Sequence, residues 1–486
     1  MTTLGAKAFK ALQWTTVSTI GRAIIQIGLL SVSAHYLSAV ELGVFALVQL
    51  CLGFCQMYMD MGVSQAIIHQ QSIQPRHYSE LFVVNLLIAS LMSAVLYLLS
   101  PILAWLFDAP TMGPLLELIS ISFVLSAFGR VQIAFMQKEL LFPILAKIEL
   151  FSVFCGLVVA TVMLTSGSGI KALVWGYLFN MLIQTLLAWI CSTIKIRPCW
   201  PRSWSELSKY IVYGAYQTAD STVNYINSNI DILLVGKLLG ADVLGGYSLV
   251  RQFCFRPAMI INQTFTRVAF PMMAKLQESS VLPNVYCKLV SALAMLNFPL
   301  YIAFFVLAEP IILLFFGPNW MHLSVIFRLM ALWCIVRSAM NPVGALLLAI
   351  GQVRLALKWN SLLLLILPIS IYVGVGFGIE GVGFALLLLQ LILLPGHWFF
   401  LLKGTIRISF RTFVSSFTVP LCISIIVGSL VTVLLIFLTS YSNLLQLGFS
   451  LLVGGVLYIL LSMKFSILFR DAINGGLMSG IEKNKM

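Results

Sequence analysis

The chain has 486 residues, of which 60% are hydrophobic and only 9% charged, with a mean hydropathy of +1.02 and a formal charge of +13. A soluble protein carries about 25% charged residues, and a single soluble core stops growing at roughly 250–300 residues. A large water-soluble core is therefore excluded, and lipid is the solvent for most of the chain. The basic residues recur in short loops between apolar runs, which marks topology rather than nucleic-acid binding.

A spanning helix needs about 20 mostly apolar residues. The candidates in chain order are 12–36, 43–62, 81–106, 115–135, 144–164, 172–194, 210–235, 246–272, 289–315, 323–350, 359–378, 382–402, 413–438 and 444–463. The expected fold is thus all-α and polytopic, with about fourteen transmembrane helices. The first run holds Arg22 and continues to Tyr36, which predicts a retained helix rather than a cleaved signal. At 100° per residue, helix one puts Ser18, Arg22, Gln26 and Ser33 on one stripe, and helix two does the same with Gln49, Gln56 and Asp60. Helix four offers Ser122, Ser126, Arg130 and Gln137. Helix seven has the clearest pattern: Gln217, Asp220, Asn224, Asn227 and Asp231 fall within about a quarter of the circumference. Helix eight aligns Gln252, Arg256, Gln263 and Arg267, with Pro257 as an expected kink. Helices seven and eight are the least hydrophobic of the set. Gly374-Val-Gly-Phe-Gly378 near a span end reads as a bend or close-packing site.

Loop charge sets orientation. With the N-terminus inside, twenty Lys and Arg fall in cytoplasmic segments and only Lys171 and Lys237 in external loops. Both termini are then cytoplasmic. Inside the spans lie Arg22, Arg130, Arg251, Arg256, Arg267, Arg328 and Arg337, against Asp60, Glu149, Asp220 and Asp231. Each intramembrane arginine costs roughly 2.5–3.5 kcal/mol on insertion scales, so each needs a partner or a water-filled space. A cationic interior suits an anionic substrate, because guanidinium matches phosphate oxygens in bidentate geometry. A lipid pyrophosphate carrying sugars fits; a cationic drug does not. Structural readings stand beside these: Arg22 paired with Asp60, Arg256 snorkelling, Arg328 anchoring at an interface, Arg337 beside Asn341, and Glu149 as a structural group.

An internal repeat is visible. Residues 36–48, YLSAVELGVFALV, match residues 238–250, LLGADVLGGYSLV, at an offset of 202. Leu37/Leu239, Ala39/Ala241, Leu42/Leu244, Gly43/Gly245, Leu47/Leu249 and Val48/Val250 are identical, and Phe45/Tyr247 are similar. The offset spans about six helices. It predicts two pseudo-symmetric six-helix lobes, 1–195 and 205–402, with helices thirteen and fourteen in 413–469 and a cytoplasmic tail, 470–486. Repeat-built transporters place their substrate site at the lobe interface. There is no GxxxxGK[ST] loop, no HExxH and no external loop beyond about fifteen residues between the spans, so neither ATP hydrolysis nor a loop-built polymerase or ligase is expected. Asp220 and Asp231 are about 16 Å apart along a helix and cannot flank one bond. The nine Cys show no CxxC pair and the five His are dispersed, so no metal or cofactor is implied.

Five stretches taken together carry a family resemblance: MQKEL at 136–140, GAYQTAD at 214–220, LGADVLGGY at 239–247, RVAFP at 267–271 and NPVG at 341–344. In their order and spacing the chain resembles polysaccharide flippases of the colanic-acid exporter type, in the multidrug/oligosaccharidyl-lipid/polysaccharide exporter superfamily. The resemblance runs from the first helix to about residue 400. It implies fourteen helices around a central cavity, and alternating access that moves an undecaprenyl-pyrophosphate-linked oligosaccharide across the bacterial inner membrane. Polysaccharide polymerase and chain-length machinery are the implied protein partners. The expected cavity residues are Arg22, Gln26, Asp60, Arg130, Gln217, Asp220, Asn224, Asn227, Arg251, Arg256, Gln263 and Arg337. Asp60, Asp220 and Asp231 are candidates for ion coupling. Two alternatives stay open: a multidrug antiporter of the same fold, whose cavity should be acidic, and a membrane-embedded polymerase or ligase.

Overall fold

The computed structural model of the chain describes residues 2–60, 67, 75–194, 196–200, 222–277, 279–438 and 440–465. Helix is the regular structure throughout these residues. In chain order α1 is Thr2–Tyr36, α2 Ala39–Asp60, α3 Pro75–Leu106, α4 Met112–Lys138, α5 Phe142–Thr165 and α6 Lys171–Cys191. Residues 222–238 form α7. Then come α8 Gly240–Lys275, α9 Leu282–Val306, α10 Ala308–Phe315, a 3-10 turn Pro318–Leu323, α11 Ser324–Met340 and α12 Pro342–Ala349. The chain closes with α13 Val353–Val375, α14 Gly378–His397, a π-helical turn Trp398–Lys403, α15 Phe410–Leu438 and α16 Asn443–Phe465.

Among the described residues, 12 stretches are long and apolar enough to cross a membrane. They coincide with the expected spans except at 210–235 and 246–272. The first falls partly outside the described residues. The second lies within α8, whose 36 residues reach about 54 Å. Its arginines and amides dilute an otherwise sufficient length of helix. Pro257 and Pro271 both sit inside α8 without ending it. Two other expected spans are interrupted. Residues 289–315 break at Leu307 between α9 and α10, and 323–350 break where Pro342, lacking an N–H, starts α12. Many exposed side chains are large and apolar, including Trp105, Ile190, Phe377 and Phe437. Water would not tolerate so much of this surface, whereas lipid matches it.

Packing divides the chain into two compact units, Met1–Leu249 and Val250–Met486. In the first, α1 packs on α5, α5 on α6, α4 on α3 and α6, and α2 on α3 and α4. Small residues allow these close passages, as is usual in lipid: a Cβ on Gly156 would stand 2.7 Å from the Gly176 carbonyl oxygen. In the second unit, α9 packs on α11 and α15, α14 on α11 and α13, and α16 on α15 and α10. The Gly374–Gly378 stretch acts as both bend and packing site, because Gly378 has φ 74° and a Cβ on Gly374 would lie 2.7 Å from the Gly381 carbonyl oxygen.

Contacts between loops agree with the alternation of spans. Lys237 Nζ lies 2.8 Å from Asp108 Oδ2, and the Ile170 N–H donates to Glu41 Oε1 at 3.2 Å. All four residues stand on the expected external side. On the opposite side the Arg197 N–H donates to Ser79 Oγ at 3.2 Å.

The two copies of the internal repeat touch each other. A Cβ on Gly43 would land on the Ala241 carbonyl, 2.7 Å from its carbon. A Cβ on Gly245, the repeat equivalent of Gly43, would land on the Ala39 carbonyl, also 2.7 Å from its carbon. Ala39 and Ala241 are themselves repeat equivalents, so the contact is reciprocal. Only glycine permits backbone to meet backbone this closely.

Candidate functional site

In the first unit, α1 places Ser18 and Arg22 one turn apart, facing α5. Ser18 Oγ donates to Glu149 Oε2, and Arg22 Nε lies 3.6 Å from the same oxygen. The two charged side chains remain 41% and 28% exposed, Arg22 near the middle of its span and Glu149 about two turns into its own. Hydrocarbon would disfavour an exposed ion pair at this depth, so the pair faces a wet space. Glu149, read from sequence as structural, is thus the partner of Arg22. The Asp60 side chain lies outside the described residues, as do Gln217, Asp220 and the Gln263 side chain.

Gln26 on α1 and Arg130 on α4 are half-buried. On α7, Asn224 is exposed and Asn227 half-buried. Two hydrogen bonds fasten α7 to α2: Tyr225 Oη donates to the Leu50 carbonyl at 2.8 Å, and Tyr58 Oη meets Thr222 Oγ1 at 2.9 Å. Gln56 Nε2 donates to Tyr177 Oη, joining α2 to α6. Asp231 is buried, and its Oδ2 accepts from the fully buried Tyr247 Oη at 2.7 Å. The bond partners one of the two oxygens of a carboxylate that is costly to bury.

In the second unit, α8 and α11 bring two arginines onto a pair of aromatic rings. Phe255 and Trp333 stack with centroids 4.9 Å apart and planes 11° from parallel. Arg251 Cζ lies 4.8 Å from the Phe255 centroid. Arg337 Cζ lies 4.6 Å from the Trp333 centroid and 5.6 Å from that of Phe255. Each arginine sits four residues from the aromatic on its own helix, which is the spacing that puts side chains over one another. The ring faces hold the flat face of the guanidinium electrostatically, and its N–H donors lie in the plane of the group. Arg256 is arranged differently: its Nη2 donates to Gln252 Oε1 at 3.2 Å along the same helix. Tyr301 Oη donates to the Cys254 carbonyl at 2.9 Å and ties α9 to α8 beside this group.

Two apolar cavities flank α9 within the second unit. One, about 510 Å³, lies between α9, α15 and α16 and is lined by Pro299, Val427, Gly454 and Tyr458. The other, about 450 Å³, lies between α9, α11, α14 and α15 and is lined by Leu332, Leu387 and Leu421. Both include Ile302, Val306 and Gly428. Sequence reasoning identified neither cavity, nor Phe255 and Trp333, and it named Glu149 without pairing it to Arg22. The i, i+4 aromatic–arginine spacing is a signal that would have found the two rings.

Arginines stacked on rings, apolar cavities and many membrane-length helices mark a polytopic membrane protein with a cationic site. Its fold is shared with solved membrane proteins. It is similar to the lipid II flippase MurJ in an inward closed conformation, with a TM-score of 0.75 at 15% identity, covering 94% of this chain and 99% of that one. It is also similar to an inward-facing multidrug resistance MATE family transporter of the MOP superfamily, with a TM-score of 0.61 at 14% identity, covering 81% and 93%.

Within that class, the chain belongs to the polysaccharide biosynthesis protein family, whose profile matches residues 32–325. A membrane protein of the cps region of Klebsiella pneumoniae is 29% identical over 466 residues, covering 94% of this chain and 95% of that protein. The lipopolysaccharide biosynthesis protein WzxC of Escherichia coli K12 is 28% identical over 426 residues, covering 87% and 86%. The teichuronic acid biosynthesis protein TuaB of Bacillus subtilis is 29% identical over 422 residues, covering 86% of each chain.

Proposed function

We propose that the chain is a flippase that moves an undecaprenyl-pyrophosphate-linked oligosaccharide from the cytoplasmic to the outer leaflet of the bacterial inner membrane. It acts by alternating access and serves assembly of a surface polysaccharide such as O-antigen, capsule or exopolysaccharide. The observation that carries this reading is the Arg251–Phe255–Trp333–Arg337 group. Guanidinium forks take the pyrophosphate oxygens, and flat aromatic faces suit the apolar faces of sugar rings. Arg256 adds a cation in the second unit, and the first unit contributes Arg22 and Arg130, with Gln26, Asn224 and Asn227 as hydrogen-bonding groups for sugar hydroxyls. The two apolar cavities along α9 take the polyprenyl chain, which a soluble sugar nucleotide would not need.

In this reading the lobes are 1–195 and 205–402, 413–469 is appended, and both termini are cytoplasmic. Polysaccharide polymerase and chain-length machinery receive the product. A cationic drug suits these stacked arginines poorly, which disfavours the multidrug reading despite the shared fold.

The test is deletion of the gene followed by lipid extraction and leaflet-specific labelling. A lipid-linked oligosaccharide should accumulate on the cytoplasmic side. Accumulation on the outer side would instead mark a polymerase or ligase, and no accumulation would reject a lipid-linked substrate.

A further inference from the structure

The second unit has a basic, aromatic end that the transport reading does not use. Here the start of α13, the π-helical turn and the start of α15 converge. The Trp359 ring contacts the His397 ring at 5.8 Å and the Phe400 ring at 6.3 Å. His397 in turn faces Phe413 at 6.4 Å. Trp398 packs on Phe410 at 5.4 Å, and its Nε1 donates to the Ile408 carbonyl at 2.9 Å.

Around this aromatic floor stand Arg354, Lys358, Lys403, Arg407 and Arg411, all exposed. Among the described residues, none of the five has a carboxylate within salt-bridge distance. Between Glu309 and Asp471 the sequence holds a single acidic residue, Glu380. It stands in the first turn of α14, at the opposite end of a 20-residue helix, about 30 Å away. Five like charges so placed repel one another unless an anion joins them. Arg407 caps the short helical turn Gly404–Ile406 in the left-handed conformation, φ 53°, ψ 37°. Phe399 and Phe400 project from the same turn, 53% and 57% exposed, and Lys403 Nζ lies 5.0 Å from the Phe399 centroid. Cations beside exposed rings at a helix end fit the headgroup and upper acyl region of a lipid leaflet.

We propose that this end of α13–α15 is a binding site for an anionic phospholipid, its phosphates held by Arg354, Lys358, Lys403, Arg407 and Arg411 and its acyl chains laid against Phe399 and Phe400. A headgroup with two phosphates, as in cardiolipin, matches the spread of five cations over three elements better than a single phosphate does. None of these residues is among those assigned to the transported substrate above, and the proposal does not depend on what is transported.

The test uses the full-length protein in detergent, titrated with cardiolipin, phosphatidylglycerol or phosphatidylcholine and read by native mass spectrometry. Affinity should fall in that order. Each cation near a membrane surface contributes about fivefold in affinity. The triple variant Lys358→Gln, Lys403→Gln, Arg411→Gln should therefore lose on the order of 100-fold for cardiolipin. A charge-keeping triple, Lys358→Arg, Lys403→Arg, Arg411→Lys, should bind like the wild type and so guards against misfolding. Neutralising three other expected cytoplasmic lysines, Lys147, Lys275 and Lys288, should change little. An equal loss in that control triple would overturn the site, since it would show attraction by net charge alone. Equal affinity for phosphatidylcholine, or displacement of cardiolipin by millimolar inorganic phosphate, would overturn it as well.

Discussion

Replacing Gly43 by alanine strikes the point where the two repeat copies meet. The new Cβ would stand 2.7 Å from the Ala241 carbonyl carbon and 3.0 Å from the Gly245 amide nitrogen. Ordinary contact between carbon atoms is about 3.5–4.0 Å and the Ala241 carbonyl oxygen stands nearer still, so the α1–α2 corner and the start of α8 must part by more than about 1 Å. The obstacle is backbone on both sides, and no side chain can rotate away. Overpacking of this kind costs about 1–3 kcal/mol. Under alternating access that penalty falls on the conformation in which the segments touch, and it vanishes once they separate. The equilibrium should therefore move about 5- to 150-fold toward the separated form. The readout is labelling of a single cysteine at position 38 by a membrane-impermeant maleimide, in a background without native cysteines. Labelling should rise in Gly43→Ala and in Gly245→Ala. The double variant should rise by less than the product of the two, because both open the same contact. Unchanged labelling in a normally inserted Gly43→Ala protein would refute the reasoning.

Arg22→Ala and Arg256→Ala should abolish surface polysaccharide while the protein still reaches the membrane; wild-type polymer in both would reject the assignment of these arginines. Arg251→Gln with Arg337→Gln should weaken binding of a polyprenyl pyrophosphate by at least about tenfold, since each charge-assisted hydrogen bond contributes about 1.5–3 kcal/mol. Isothermal titration against a polyprenyl alcohol, which lacks the phosphates, isolates that loss. Gly428→Val fills the point shared by both apolar cavities, so transport of substrates with long polyprenyl chains should fall more than that of short-chain analogues.

Much of the fold was open to reading because lipid imposes simple rules. Apolar runs of fixed length and cations on alternate loops are properties of single segments. The repeat was equally legible, since glycine at 43 and at 245 is written in the chain. What the sequence concealed was pairing across helices. Arg22 had several carboxylates to choose from, and only the packing of α1 against α5 selects Glu149. Helix α8 looked weak as a span for the same reason that it is useful: Gln252 and Arg256 dilute its hydropathy and hydrogen-bond to each other. The cavities along α9 were hidden because their walls come from several helices, and Leu332 or Tyr458 resembles any other apolar residue until its neighbours are placed.

The reciprocal contact of Gly43 and Gly245 has the form of an isologous dimer interface, in which a surface meets a rotated copy of itself. When two identical chains share such an interface, every substitution is made twice. Once the copies are joined in one chain, each side can change alone. Position 231 shows what that freedom allows. Asp231 and Tyr247 form a buried hydrogen-bonded pair, while the matching positions at the offset of 202 are Leu29 and Phe45. One copy has a polar pair where the other has an apolar pair. Either half of the polar pair would be costly in a buried site without its partner, so the two substitutions are coupled. A chain that carries both copies can thus hold a buried carboxylate beside one of them and an apolar residue beside the other.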